Sequence, residues 1–145
     1  MQWDGSSPQA GFSTNPQTWL PVASDYKTVN VQAEMADPSS MLNWYRRLIT
    51  LRREIPALRD GGMAMVDTTN ASVLSYVRTA PAGAKAVVVA LNMTGQPQKI
   101  ALDLGPAGIK QKAVKTLLTN ETSLQGVTST SMTLPPFASW VGEVR

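Results

Sequence analysis

The stretch SVLSYVRTAPAGAKAVVVALNM, Ser72–Met93, carries the pattern that decides the fold. Two apolar-rich runs, Ser72–Thr79 and Ala86–Met93, flank Pro81-Ala82-Gly83. β-Branched and aromatic residues suit a pleated strand, and a Pro/Gly cluster between two such runs reads as a turn. From Gly61 onward the same period of two recurs. It predicts strands at Ala64–Val66, Ser72–Thr79, Ala86–Met93, Gln98–Leu104, Ala113–Leu118, Ser131–Leu134 and Ser139–Val144. Asn70, Gly95, Gly105-Pro106, Asn120 and Pro135-Pro136 punctuate them. Short strands at this spacing predict a mainly β fold, with an antiparallel sandwich of Greek-key type over 61–145.

Upstream, DPSSMLNWYRRLITLRREIPAL, Asp37–Leu58, changes to helical period. Asp37 suits an N-cap, Pro38 the first helical position, and Pro56 ends the run. At 100° per residue Met41, Leu42, Trp44, Tyr45, Leu48, Ile49 and Leu51 cover an arc of roughly 180°. A surface helix needs about 100° of apolar stripe, so this one expects two neighbours. Arg52 falls inside that arc, either snorkelling at the helix end or facing a carboxylate on a missing neighbour. Asp60-Gly61-Gly62 breaks the helix, so two segments are expected, 1–60 and 61–145. Residues 1–36 show neither period and carry loop punctuation at Gly5, Pro8, Gly11, Pro16 and Pro21. Trp3, Phe12, Trp19, Leu20 and Val22 in that loop require something to pack on.

Composition removes whole classes of chemistry. The chain of 145 residues has no cysteine and no histidine. Disulfides, thiolate nucleophiles, Ser-His-Asp triads and His/Cys zinc sites are therefore impossible within it. No metal and no cofactor is expected. The net charge of +3 is spread thinly, and its one dense basic stretch lies along the helix. Cations are favoured near a helix C-terminus, so a solvated face is expected rather than a nucleic-acid site. The longest apolar run, Ala86–Leu91, is far short of a membrane span. No signal peptide precedes Trp3, and a cytoplasmic location is favoured.

Acid–base work by carboxyl groups alone needs a close pair, one held protonated and one ionised. No such pair is advertised among Asp4, Asp37, Asp60 and Asp67, which read as caps and turns. An indole face can stack on the C–H face of a pyranose. Trp44 and Trp140 read as core residues, whereas Trp3 and Trp19 stay open between packing and sugar contact. Asn70, Asn92 and Asn120 open N-x-S/T triplets at turns, where asparagine has its own hydrogen-bonding reasons to occur.

Several words of the chain carry more than local propensity. MQWD at Met1–Asp4, AGFS at Ala10–Ser13, WLPV at Trp19–Val22, YKTVNV at Tyr26–Val31 and LRREIPAL at Leu51–Leu58 follow one another in this order. With VVVALNMT at Val87–Thr94 and the closing LPPFASWVGEV, they resemble the back end of an α-glucosidase of glycoside hydrolase family 13, the α-amylase superfamily. The resemblance implies that 1–60 holds the loop after the eighth strand of a TIM barrel and the barrel's last amphipathic helix. Residues 61–145 would then be the accessory β-sandwich.

In that family the nucleophilic aspartate, acid glutamate and third aspartate sit on the fourth, fifth and seventh barrel strands. All precede residue 1 here, so no catalytic residue is carried over. Gln2, Trp3 and Asp4 match a loop on the active-site side, in a peripheral role. Met1 coincides with the methionine of the family's internal PMQWD. Trehalose synthases share the MQW and AGFS words, but the WLPV and YKTVNV spacing leans towards a hydrolase. The expected partners are the missing catalytic barrel of the same parent chain and, through the parent, an α-gluco-oligosaccharide. Self-association through the helix face is expected when that barrel is absent, with neither nucleic acid nor membrane as a partner. The alternative is a stand-alone carbohydrate-binding sandwich.

Overall fold

A computed structural model describes residues 1–80, 84–110 and 113–145; the expected turn at Pro81-Ala82-Gly83 lies outside them. The chain divides into two compact units, Met1–Thr50 and Leu51–Arg145, so the division passes through a helix.

The first unit has only turns and bends up to Asn30, followed by helix α1 at Val31–Ala36 and the start of helix α2, Met41–Glu54. Helix α1 falls in a stretch whose composition predicts loop. Asn30 explains it: its side chain accepts from the Ala33 amide at 2.8 Å, a cap that satisfies one of the four orphaned donors of a helix start. Asp37 does not cap α2, contrary to expectation. It ends α1, and its carboxylate accepts from the Ser39 amide and hydroxyl. Ser40 takes the capping role, accepting from the Asn43 amide at 3.2 Å while donating to Glu34 O at 2.6 Å. Glu34 also reaches forward to the Leu42 amide. A hydroxyl that both donates to one helix end and accepts from the next outcompetes an aspartate three residues earlier.

No residue of α2 is buried, and Met41, Tyr45 and Ile49 are exposed. Trp44 is half-buried under the Arg47 guanidinium, 5.5 Å from its ring centre, and is not the core residue expected. Arg52 lies exposed in the last turn of α2, in keeping with snorkelling rather than a carboxylate pair, and its Nη1 donates to Leu58 O at 2.6 Å.

The second unit is the sandwich. After the short helix α3, Pro56–Asp60, come β1 (Gly62–Asp67), β2 (Val73–Thr79), β3 (Val87–Asn92), β4 (Gln98–Ala101), β5 (Val114–Thr119), β6 (Ser131–Leu134) and β7 (Ser139–Val144). All seven expected strands are present, with ends displaced by a residue or two and β4 three residues shorter than expected. One sheet has the order β1-β2-β3-β7-β5 and the other pairs β4 with β6, all antiparallel. The chain leaves the larger sheet after β3 and crosses between the sheets until β7 inserts between β3 and β5.

Alternation assigns the two faces of the larger sheet. Val73, Val77, Val88, Ala90, Val114, Trp140 and Val144 face the smaller sheet, meeting Ile100, Leu102, Leu104 and Leu134. Val87, Val89 and Val141 face the other way and are covered by Leu51, Ile55, Ala57 and Leu58. Four successive residues of β3, Val87–Ala90, are therefore all buried. Burying such a side chain contributes roughly 1.5–3 kcal/mol. Trp140 is wholly buried as expected, with its Nε1–H donating to Thr116 Oγ1 at 2.9 Å. The indole lies against Gly142, where an added Cβ would sit 2.2 Å from Trp140 Cη2.

Candidate functional site

Gln2, Trp3 and Asp4 come together with segments far along the chain. Trp3 N–H and Asp4 N–H both donate to Ala10 O, at 2.8 and 3.3 Å. On the other side Val31 N–H donates to Gln2 O and Gln32 N–H to Trp3 O, each at 3.0 Å. Gln2 Nε2 donates to Asp25 Oδ1 at 3.3 Å. Gly5 packs on the Lys27 backbone closely enough that a Cβ would lie 3.1 Å from Lys27 O. Three of the words read in the sequence, MQWD, AGFS and YKTVNV, are thus three strips of one backbone-bonded loop cluster.

Ala10 makes the cluster possible. It is fully buried at φ 51, and Gly11 follows at φ 71. Two successive left-handed residues turn the chain sharply, which costs energy at alanine and little at glycine. A side chain at Gly11 is also excluded by space, because its Cβ would fall 2.2 Å from Asp4 Oδ2. The Ala-Gly pair was the signal for this turn; the left-handed backbone at alanine was not readable.

Asp4 is held ionised. The Ser6 hydroxyl at 2.5 Å, then the Ser6 amide at 2.9 Å, stabilise the charged form and lower its pKa below the ordinary carboxylate value. Asp37 with Ser39 and Asp67 with Thr69 repeat this arrangement, and Lys85 holds Glu143 low. The carboxyl groups of Asp4, Asp37, Asp67 and Glu143 are all displaced downward, towards the ionised form. Among the described residues no group of three or more His, Cys, Asp or Glu side chains is placed to hold a metal.

Beside this cluster Met1, Gln2, Phe12, Trp19, Leu20 and Val22 line an open groove of about 400 Å³. Trp19 is 97% exposed and Trp3 about half exposed, so both indoles present area that a sugar ring or a further protein segment can cover. The apolar loop residues expected to be packed are instead largely uncovered. Asn92, one of the three turn asparagines, is buried and fully bonded.

Residues 1–61 match the family described as alpha amylase, catalytic domain. Over 102 residues the chain is 38% identical to the trehalose synthase of Pimelobacter sp. (strain R48), spanning 65% of this chain and 18% of that protein. Over all 145 residues it is 29% identical to the oligo-1,6-glucosidase of Bacillus cereus, of which it spans 25%. Among solved structures, the trehalulose synthase of Pseudomonas mesoacidophila MX-45 superposes with a TM-score of 0.84 at 30% identity, over 99% of this chain and 24% of that one. The chain thus spans a quarter or less of the relatives it matches.

Proposed function

This chain belongs to the α-amylase superfamily, glycoside hydrolase family 13, and from that premise we propose that it is the C-terminal part of an α-glucosidase-like enzyme acting on α-linked gluco-oligosaccharides. The loop cluster of the first unit would finish the rim of the active site. Helix α2 would close the barrel and the sandwich would serve as the accessory domain. The observation that carries this reading is the match of nearly the whole chain to a quarter of a much longer enzyme. The catalytic barrel of the same polypeptide is then its partner, and the oligosaccharide reaches it only through that barrel. The exposed line Met41, Tyr45, Ile49 on α2 supports a missing neighbour, since uncovered apolar area of this kind drives association.

By itself the chain is expected to be inactive, because the carboxylates that tune up or down in a retaining mechanism have no counterpart here. Purified chain is incubated with p-nitrophenyl α-glucoside; release of nitrophenol well above a blank would sink the reading. An antibody against the chain, used on source-cell extracts, should detect a polypeptide several times heavier than 15.6 kDa. A band at 15.6 kDa alone would refute the parent-enzyme reading.

A trehalose-synthase-like parent is the second reading, favoured by the 38% identity to the Pimelobacter enzyme. Maltose given to the full-length protein separates them: glucose as the main product supports hydrolysis, trehalose the isomerase. For a stand-alone binding module the sandwich's one tryptophan, Trp140, is wholly buried, so its platform would have to be Trp3 and Trp19 of the loop. Titration of the chain's tryptophan fluorescence with maltooligosaccharides should show no saturable change.

A further inference from the structure

The first unit leaves one indole bare. Trp19 is 97% exposed, and Phe12 and Leu20, which line the same open groove, are exposed as well. The segment that carries the indole is nonetheless fixed. Asn15 Oδ1 accepts from the Gln17 amide at 2.9 Å and Thr18 Oγ1 donates to Leu20 O at 2.6 Å. Pro16 and Pro21 restrict the backbone on either side. A side chain of this size held out in solvent buries almost nothing and adds no stability to the fold. Its rigid backbone lowers the ordering entropy that binding a ligand has to offset.

The make-up of the groove separates its possible occupants. Phe12, Leu20 and Trp19 give it an apolar wall, and Gln2 brings an amide beside them. That amide is oriented, because Nε2 donates to Asp25 Oδ1 at 3.3 Å. Its Oε1 is left as an acceptor with no partner among the described residues. An apolar wall with one fixed polar group is the composition of a small-molecule subsite. It matches a pyranose, whose C–H face stacks on an indole while a hydroxyl at the ring's edge donates to an amide oxygen. An apolar protein segment laid in the groove would instead bury Gln2 Oε1 without a donor, which is unfavourable.

We propose that Trp19 is a sugar platform on the leaving-group side of the active site. It stacks on the glucosyl unit beyond the bond being cleaved, and so favours oligosaccharides over glucosides with small leaving groups. The inference rests on the reading that the loop cluster finishes the rim of an α-glucosidase-like active site. The side follows from the chemistry. In a retaining mechanism two carboxyl groups flank the bond that breaks, and this chain supplies neither. A rim residue meets what projects from that enclosure, which is the departing sugar. One indole on an open groove is too small a contact to hold an oligosaccharide by itself, so the isolated chain shows no saturable binding. The platform acts once the reacting sugar is seated and the next unit reaches it at high effective concentration.

The experiment compares substrates on the intact polypeptide carrying Trp19→Ala or Trp19→Phe. Maltose, maltotriose and isomaltose release a sugar, whereas α-glucosyl fluoride delivers the same glucosyl unit and releases only fluoride. Trp19→Ala should lower kcat/KM for the oligosaccharides at least about tenfold, mainly through KM, and change it less than about twofold for the fluoride. Trp19→Phe, which keeps an aromatic face, should restore most of the loss. Retained turnover of the fluoride also shows that the variant is folded. Equal losses on both kinds of substrate overturn the platform, because they mark an indole that supports the site as a whole or is covered by protein. No loss on either overturns it as well. In both cases the unaltered polypeptide still consumes the oligosaccharides and the parent-enzyme reading stands. An unaltered polypeptide that consumes none of these substrates overturns both.

Discussion

Asn92 makes the sharpest test of how the sandwich is held together. It is 3% exposed at the end of β3. Its Nδ2 donates to Gln96 O and Pro135 O at 2.8 Å, with Leu134 O at 3.3 Å, and its Oδ1 accepts from Thr94 N at 3.0 Å and Thr94 Oγ1 at 2.9 Å. One amide thus ties the β3–β4 turn to the segment between β6 and β7, joining the two sheets at one end. Leu134 keeps its strand partner Gln98, so Asn92→Ala removes the side-chain bonds at about 1 kcal/mol net each where water can replace them. A loss near 3 kcal/mol is expected before any cavity cost. For a domain of this size each kcal/mol moves the melting temperature by about 4–8 °C, so the variant should melt at least about 12 °C lower.

Asn92→Asp refines the test. The carboxylate keeps the Thr94 bonds but faces three carbonyl oxygens, so its folded-state pKa should be raised above the unfolded value of about 3.9. A raised folded pKa contributes stability below the unfolded pKa that is lost as pH rises. The variant should therefore sit nearest to the parent protein around pH 3 and fall progressively behind it towards neutrality. Thermal melts followed by far-ultraviolet circular dichroism, at several pH values, supply both comparisons. A melting temperature for Asn92→Ala within about 2 °C of the parent would refute the bridging role.

Other positions test separate parts of the argument. Gly142→Ala places a methyl on the Trp140 ring and should cost about 1–3 kcal/mol or more, measured by urea unfolding; an unchanged midpoint would show that the indole is free to move. Ser75 is wholly buried with an unpartnered hydroxyl, so Ser75→Ala should be neutral or stabilising by up to about 1 kcal/mol, and a clear loss would reveal a partner for Oγ. Lys85 lowers the Glu143 pKa, so its contribution is present above the usual carboxylate value and fades as pH falls through the lower folded one. Glu143→Gln should cost roughly 0.2–1 kcal/mol at pH 7 and less with each step below about pH 4.5, in acid titration of stability. Gly11→Ala forces a Cβ into the Asp4 carboxylate at positive φ and should speed amide exchange at Trp3 and Gln32; unchanged exchange would mean that the turn is not what clamps the loop.

The sequence by itself determined what local geometry controls. Alternation and the Gly, Pro and Asn between runs located all seven strands, because side-chain direction along a strand depends only on the next residue. Pro56 ended α2 for an equally local reason, its missing N–H. The resemblance of MQWD and its companion words placed the chain in its family, yet said nothing of why those words travel together.

That was decided in three dimensions. Ala10 O and the amides of Val31 and Gln32 clamp residues 2–4 across gaps no periodicity can register. Likewise, capping passed from Asp37 to Ser40 because Glu34 O waited at the end of α1. The insertion of β7 between β3 and β5, the two-sided burial of β3 and the five contacts of Asn92 depend on partners dozens of residues away. The tryptophans divided on the same ground, Trp140 sealed between sheets and Trp19 left bare. A residue's own neighbours set its direction, but only the arrival of distant chain decides whether anything covers it.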